Sequence, residues 1–522
     1  MCYRQSLFLL FFSLSVSANW PQASGPNADW KVAGEAPTTW SAVRGEQIRW
    51  RTPMPECGQS AVTIWGDRAF VTIHTPIKSF EERFIGSDII GYCLDANSGE
   101  VLWTVELAGT QSMQMACGFS DATVFAPVTD GTHVWFFNRC GAMGCYDFSG
   151  REIWLRPYKM RFRHSARMGE PILLNGQILN VEVQDKETGS LIRKFLPGTS
   201  KTTKPVIPAG IDATTVWTYL HGIDALTGKI AWQEKIGTSI HNAPMIGRLA
   251  DGQLAVVHAR GGGHGPLEKP YGLSLTSLGA DDAGTTLWST QLDGYDPPFN
   301  NHWNAKEVYG FHNTDHVVLD TATGKVLRRQ PIYESADLWA WNPKAKDWEQ
   351  RKDQQLTTGK KHPMTYQTNI VVGDWHWFLA HKKPYIGRIH TRTGKVEYLE
   401  VPAQLESSGA SRSEDIRHWG KGIKNRPTNA SGFAIGRKGH DGTGFGHISA
   451  GSPILVGKTL YFPVVTGTVY VVDSSVEQLN PKALIAVNDL GPAGETWTLS
   501  SFSYSSGRLF MHTMREILCI GP

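Results

Sequence analysis

The chain has 522 residues, enough for a large core or several domains, yet only 19% are charged while Gly (54) and Trp (19) are abundant. Few charges with many Gly and aromatic residues suit a β-rich protein with many tight turns. A net charge of +3, with no long Lys/Arg block and no nucleic-acid-binding motif, argues against a nucleic-acid partner.

Residues 1–18, MCYRQSLFLLFFSLSVSA, place Arg4 before an apolar run from Leu7 to Val16 and end in small residues at Ala18. The run is short for a bilayer span and predicts a cleaved export signal. Cys2 precedes the run, where a lipoprotein cysteine would not lie. No later segment reaches transmembrane length. The mature protein is expected to be exported, periplasmic or extracellular, soluble and monomeric. It retains Cys57, Cys93, Cys117, Cys140, Cys145 and Cys519. Export permits disulfides, and the short spacing of Cys140 and Cys145 suits a loop-closing bridge, although 15 pairings are open. Cys93 and Cys519 read as strand interiors. Residues 19–39 form an N-terminal extension, and repeats fill 40–522.

One unit recurs. LDANSGEVLW carries Asp95, Gly99 and Trp103, and IDALTGKIAW carries Asp224, Gly228 and Trp232 at the same spacing. YDFSGREIW is one residue shorter, with Asp147, Gly150 and Trp154. LDTATGKVLR keeps Asp320 and Gly324 but ends in Arg328, and IHTRTGKVEY has His390, Gly394 and Tyr398. DDAGTTLW preserves Gly284 and Trp288. The Asp can fix a turn through backbone N–H groups, and the Gly accepts positive φ in a bulged hairpin loop. The Trp presents a flat surface that a single small sheet cannot bury, so neighbouring copies must stack.

Ahead of each copy lie two short strands joined by a Gly-containing turn, as in EPILLNGQILNVEV and SPILVGKTLYFPV. Four strands per unit at a period of about 45 residues read as propeller blades. Seven full units precede a three-stranded tail, and GEQIRW, ending in Trp50, can supply the missing outer strand. Closure by both termini leaves no free sheet edge. The predicted fold is all-β: a single eight-bladed β-propeller of four-stranded antiparallel blades closed by an N-terminal strand. Seven blades is the alternative. Insertions interrupt the repeat at 184–212, 333–361 and 403–446.

The Asp-x-x-[Ser/Thr]-Gly-x-x-x-Trp pattern resembles the pyrroloquinoline-quinone-like (PQQ-like) repeat of quinoprotein dehydrogenases and of BamB-type outer-membrane assembly lipoproteins. NWPQASGPN, after the signal, is similar to the opening of large exported families with this repeat. The resemblance spans residues 40–522. It implies ligands over the central channel, met by the loops leading into each inner strand and by those between second and third strands.

Those loops hold the candidate residues. RPYKMRFRHSARMG contains Arg161, Arg163, His164 and Arg167, a run that suits either a solvated face or an anion-binding rim. His164, His362 and His447 precede their inner strands by similar distances, and His241 and His302 lie slightly closer. His164, His241 and His302 are the catalytic candidates. His74, Arg260, His264, His381, Lys382, Tyr385 and His447 join the arginines as ligand-binding candidates. Each histidine also suits a packing role. No metal site is assigned, since carboxylates or Cys do not accompany the histidines, HDGTGFGH around His440, Asp441 and His447 being the nearest approach. Insertion 333–361 carries Trp339, Trp341 and Trp348, which suit either stacking on sugar rings or capping the insertion.

Three functions follow. The first is an exported binding or scaffold propeller for a protein or an acidic glycan at the central funnel. The second is an acidic-polysaccharide lyase or hydrolase, with Arg side chains holding the substrate carboxylate and a His or Tyr base taking its proton. The third is a PQQ-dependent dehydrogenase. Such enzymes carry adjacent bridged cysteines, an Asp base and a calcium held by Glu and Asn. This chain has no Cys-Cys dipeptide and no C-x-x-C-H, so no cofactor is expected, neither PQQ nor attached haem.

Overall fold

Short alternating strands joined by tight Gly turns fold locally into antiparallel sheets, and each sheet buries its faces only against its neighbours. The computed structural model describes residues 19–77, 88–110, 123–158, 170–183, 217–239, 242–262, 268–356, 368–380, 383–434 and 451–522. Eight sheets form a propeller ring. Blade 1 comprises Thr63–Trp65, Arg68–His74, Ile89–Asp95 and Val101–Leu107; blade 2 Val128–Thr129, His133–Asn138, Ala142–Asp147 and Glu152–Pro157. Blade 3 is Ile172–Leu174, Gln177–Val183, Thr218–Asp224 and Ile230–Lys235, and blade 4 Met245–Arg248, Leu254–Arg260, Gly272–Ser277 and Thr286–Gln291. Blade 5 has Glu307–His312, Asp315–Asp320 and Val326–Pro331, its inner strand reduced to a bridge between Trp303 and Val308. Blade 6 is Asn369–Val372, Trp375–Leu379, Tyr385–His390 and Val396–Glu400; blade 7 Ile454–Val456, Thr459–Pro463, Thr468–Asp473 and Leu484–Asp489. Blade 8 combines Ser503–Ser505, Arg508–His512 and Glu516–Ile520 with Ile48–Pro53 from the N-terminal side.

The repeat unit places its three residues at the seams. Asp224 Oδ1 accepts from Thr227 N (2.8 Å) and Thr227 Oγ1 (2.7 Å), while Gly228 turns at φ +69°. The outer strand then carries a β-bulge immediately before the Trp register in seven of the eight blades, for example between Gly222 and Ile223 opposite Trp232 and Ile230. A bulge re-aims the following side chain. It turns each Trp towards the next blade and leaves the preceding apolar residue outside, which is why Leu102 (40%) and Leu327 (46%) are exposed. Trp103, Trp154 and Trp288 lie against Gly150, Gly228 and Gly324 of the following blade. Their Nε1 atoms donate to the carbonyl oxygens of Phe148 (2.9 Å), Ala225 (3.1 Å) and Thr321 (2.7 Å), in each case the residue after the turn Asp. Arg328 makes the equivalent bond to Thr391 O (3.0 Å). Trp50 closes the ring by the same contact, to Ala96 O (3.1 Å) and Gly99.

Blade 6 departs from this pattern. Its outer strand has no bulge, so Glu397 rather than Tyr398 pairs opposite Arg388, at the register a Trp holds elsewhere. One residue of register exchanges the two faces of a strand. Tyr398 therefore turns into the insertion, donating to Ile332 O, and Arg388 spans the seam. Its guanidinium bonds Glu397 (2.8 Å), Val476 O (2.9 Å) and Glu477 O (2.7 Å), under the Trp375 ring. The hairpin Ala336–Asn342 and Asp347–Gln354, from insertion 333–361, covers this blade's edge by pairing in parallel with Val396–Glu400.

Cys140 and Cys145 do not form the loop-closing bridge their spacing suggested: both are buried thiols. Cys140 packs with Phe70 and Tyr146, whereas Cys145 packs with Trp135 and Met143, so the two side chains enter different clusters. Cys93 and Cys519 are buried strand thiols, and Cys57 is disulfide-bonded to a partner outside the described residues. The predicted signal segment 1–18 and insertion 184–212 also lie outside them. No helix among the described residues is long and apolar enough to cross a membrane.

Candidate functional site

The inner strands run from an upper face, where each begins, to a lower face, where each turns into its second strand. Residues 19–34 close the lower end. Trp20 exchanges backbone bonds with Ile64 (2.9 and 2.8 Å), Pro21 O accepts from Thr129 N (2.9 Å), and Gln22 Oε1 accepts from Leu173 N (2.9 Å). The chain then reaches Trp30, edge-on to Phe299, and Lys31–Val32 adds in parallel to the inner strand of blade 7. Trp20 and Trp30 are fully buried, and Ala28 (φ 55°) and Trp30 (φ 59°) hold left-handed backbone conformations. A peptide plug of this kind leaves the upper face for ligand approach.

On that face, short polar side chains stitch the inner strands together. Gln59 N donates to Thr123 Oγ1 (3.0 Å), Asn242 Nδ2 to Asn301 Oδ1 (3.0 Å), Asn300 Nδ2 to Ser452 Oγ (2.9 Å), Ser452 N to Ser501 Oγ (2.7 Å) and Ser500 Oγ to Ser60 O (3.3 Å). Beyond Trp419, the described part of insertion 403–446 runs over blades 7 and 8. Asn425 Nδ2 donates to Thr496 O (2.9 Å), Arg515 Nε to Thr428 O (2.8 Å), and Asn429 Nδ2 to both oxygens of Glu56 (3.1 and 2.9 Å) in front of blade 1. Glu56 also accepts from Cys57 N (2.9 Å) and Ile77 N (3.2 Å), which leaves this buried carboxylate committed to holding the strap.

The sequence candidates that are described do not gather in one funnel. His302 is buried, its Nε2 3.4 Å from Asn369 O, and burial pushes its pKa down to about 3. It belongs to an internal group in which His316 Nε2 meets His376 Nδ1 (3.0 Å) and His376 Nε2 meets Asn369 Oδ1 (2.8 Å). The Arg260 guanidinium is bound by Pro270 O, Ile236 O (3.1 Å) and Ser289 Oγ (3.1 Å). His74 is fully buried at the end of a blade 1 strand. Arg161, Arg163, His164, Arg167, His241, His264, His381, Lys382 and His447 lie outside the described residues.

Tyr385 has different company. It pairs across the ladder with Glu400, whose carboxyl burial lifts above the usual range and whose Oε2 accepts from Trp341 N (3.0 Å). Trp348 Nε1 donates to Glu400 O (2.8 Å). Above them Trp341 stacks on Trp419 with ring centroids 4.0 Å apart and planes at 1°, and Trp348 stands edge-on to both, at 4.9 and 5.5 Å. All three indoles are half-buried. The hairpin carries Trp341 and Trp348 past the end of blade 6, and the next insertion brings Trp419 down onto them. Trp419 was not anticipated, although RHWGKG offers an aromatic beside cations in an insertion.

Among the described residues no group of three or more His, Cys, Asp or Glu side chains could hold a metal ion. Several buried upper-face carboxylates hold the scaffold: Glu56 as above, Glu170 with Ala126 N (3.1 Å), Glu182 with Arg156 (2.6 Å) and Glu268 with Thr218 Oγ1 (3.0 Å) and Thr238 Oγ1 (2.7 Å).

No protein-family model and no curated protein matches the chain. Among solved structures, a europium-containing methanol dehydrogenase is similar over 94% of this chain and 89% of its own, with a TM-score of 0.53 and 12% identity. Quinohemoprotein alcohol dehydrogenases from Comamonas testosteroni and Pseudomonas putida HK5 are similar over 96% of this chain and 80% of theirs, with TM-scores of 0.50 and identities of 11% and 10%. The chain has the PQQ-like β-propeller fold. At such identities the likeness is one of fold alone.

Proposed function

We propose that the protein is an exported PQQ-like propeller that acts as a binding scaffold, receiving a protein or glycan partner on its upper face and working without a bound quinone. The observation that carries this reading is the use of the described upper-face polar groups. Those named above bond to backbone or to one another across blade seams, which favours a rigid platform over a set of convergent acid, base and nucleophile. The plug supports the same reading, because a channel closed below offers a surface and not a passage. His302 is a poor proton acceptor in this setting, since burial keeps its imidazole neutral down to about pH 3.

Two assays of the exported protein test the reading. Incubation with acidic polysaccharides, followed by ultraviolet absorbance of unsaturated uronides, should give no product. Addition of PQQ with calcium or a lanthanide should give no dye reduction with alcohols. Turnover in the first assay would establish the lyase, and turnover in the second the dehydrogenase.

A further inference from the structure

The tryptophan cluster over blade 6 is more than a cap. A cap would bury its indoles, whereas Trp341, Trp348 and Trp419 all remain partly exposed while their orientations are held by one another and by Glu400. The surrounding charge is mixed, with exposed Asp347 in the hairpin turn and Glu349 and Glu406 paired to Arg351 and His418, but the cations left over are in excess. Lys344 and Lys346 occupy the exposed hairpin turn between Trp341 and Trp348. Arg417 and Lys421 flank Trp419, and exposed Lys383 precedes Tyr385. Among the described residues none of these five cations lies within ion-pair distance of a carboxylate, whereas the neighbouring Arg351 is paired with Glu349. Glu400 and Tyr385 add polar atoms at the base of the cluster.

We propose that this cluster is a binding subsite for an acidic polysaccharide. A uronic-acid ring has the matching parts. Its C–H face packs on indole, whose π surface is electron-rich. Its carboxylate meets the Lys and Arg rim, and its hydroxyls can bond Glu400 and Tyr385. An acidic peptide would use the cations but would meet the stacked platform only where it carries an aromatic or proline ring. A lipid surface would use the indoles and cations but would desolvate the Glu400 carboxyl without return. The subsite lies at the rim of the upper face over blades 6 and 7, not in the central funnel, and it rests on the binding reading above.

The test is titration calorimetry of the mature full-length protein with oligogalacturonides, alginate oligomers and heparin oligosaccharides. Dextran oligomers, poly-glutamate and anionic phosphatidylglycerol vesicles serve as comparators. At least one acidic glycan should bind, more weakly at higher salt. Trp419→Ala should weaken it roughly tenfold or more, while Trp419→Phe keeps most of it. The exposed pair Lys344→Glu and Lys421→Glu, which leaves the packing untouched, should abolish it. The proposal is overturned if no acidic glycan binds, if binding ignores both the Trp419 and the charge variants, or if dextran, poly-glutamate or vesicles bind as tightly. Lyase or dehydrogenase turnover would defeat the scaffold reading while leaving these binding losses in place. Binding that ignores Trp419 would defeat the subsite alone.

Discussion

Trp154 of blade 2 and Ala225 of blade 3 are joined across a blade seam by an indole N–H to carbonyl bond of 3.1 Å. Three residues further on, a Cβ placed at Gly228 would lie 3.0 Å from the same indole. The seam is therefore both a hydrogen bond and a close backbone approach. Its energetics separate cleanly by substitution. Gly176 shares the positive φ (+75°) but has nothing within 4 Å of its missing Cβ, so Gly176→Ala should cost only about 1 kcal/mol. Gly228→Ala should cost clearly more, and Trp154→Ala about 3 kcal/mol. Combining Gly228→Ala with Trp154→Ala should cost less than the sum, because the ring that the new methyl meets has gone. Urea unfolding of the four variants measures this cycle.

The seam between blades 6 and 7 should respond to charge instead of ring size. Arg388 is buried beneath Trp375 and its carboxylate partner is Glu397 at 2.7 Å. Glu397→Ala strands a buried guanidinium and should cost about 3–5 kcal/mol. The double replacement Arg388→Met with Glu397→Leu should recover much of that loss. Thermal unfolding of the two variants beside the parent protein decides it, and a double variant no better than Glu397→Ala would refute the ion-pair account of this seam.

Acidification should weaken the fold well before the carboxylates titrate. Burial pushes His258, His302 and His316 down to about 3, and His376 also lies well below its ordinary value. In the unfolded chain these histidines titrate near about 6.5. The unfolded state therefore binds more protons between the two values, and stability rises with pH there. The contribution is complete above about pH 6.5 and is lost progressively as pH falls towards 3. The urea midpoint should drop between pH 7.5 and pH 5, and His258→Leu, which removes one titrating site, should show a smaller drop.

At the repeat turns the sign reverses. The Thr227 hydroxyl and amide hold the Asp224 carboxyl below its usual range, and the Ser149 hydroxyl does the same for Asp147. These depressed groups support the fold above about pH 4, the unfolded carboxylate value, and lose that support as pH falls through their folded values. Carbon-detected NMR titration should show Asp224 moving up towards the ordinary carboxylate value in Thr227→Val, with Asp147 unchanged as an internal control.

Much of the architecture was readable in the chain itself. The Asp-Gly-Trp spacing located the blades, and Trp50 in GEQIRW announced the closing strand. The reason is that each unit is local: a turn carboxylate, a positive-φ glycine and a strand lie within ten residues. Blade 6 was harder. Its spacing puts Tyr398 at the wedge position, but the missing bulge shifts the register by one and gives the place to Glu397. A bulge depends on what covers the strand edge, here a hairpin from an insertion, and no spacing rule reports that. The described site candidates show the same dependence on distant neighbours. His302 and Arg260 sit where ring geometry placed them, yet whether such a side chain faces a ligand or the backbone depends on neighbouring blades.

By itself, then, the sequence determined an all-β ring of repeated blades, with its seams built from Asp, Gly and Trp. Tertiary structure alone decided that residues 19–34 plug the lower channel, that the strap is held through Asn429 and Glu56, which are 373 residues apart, and that Trp419 meets Trp341. Periodicity encodes contacts within a repeat. Contacts between a terminus, an insertion and a distant blade carry no period, because they arise only after the closed ring has set the distances between them.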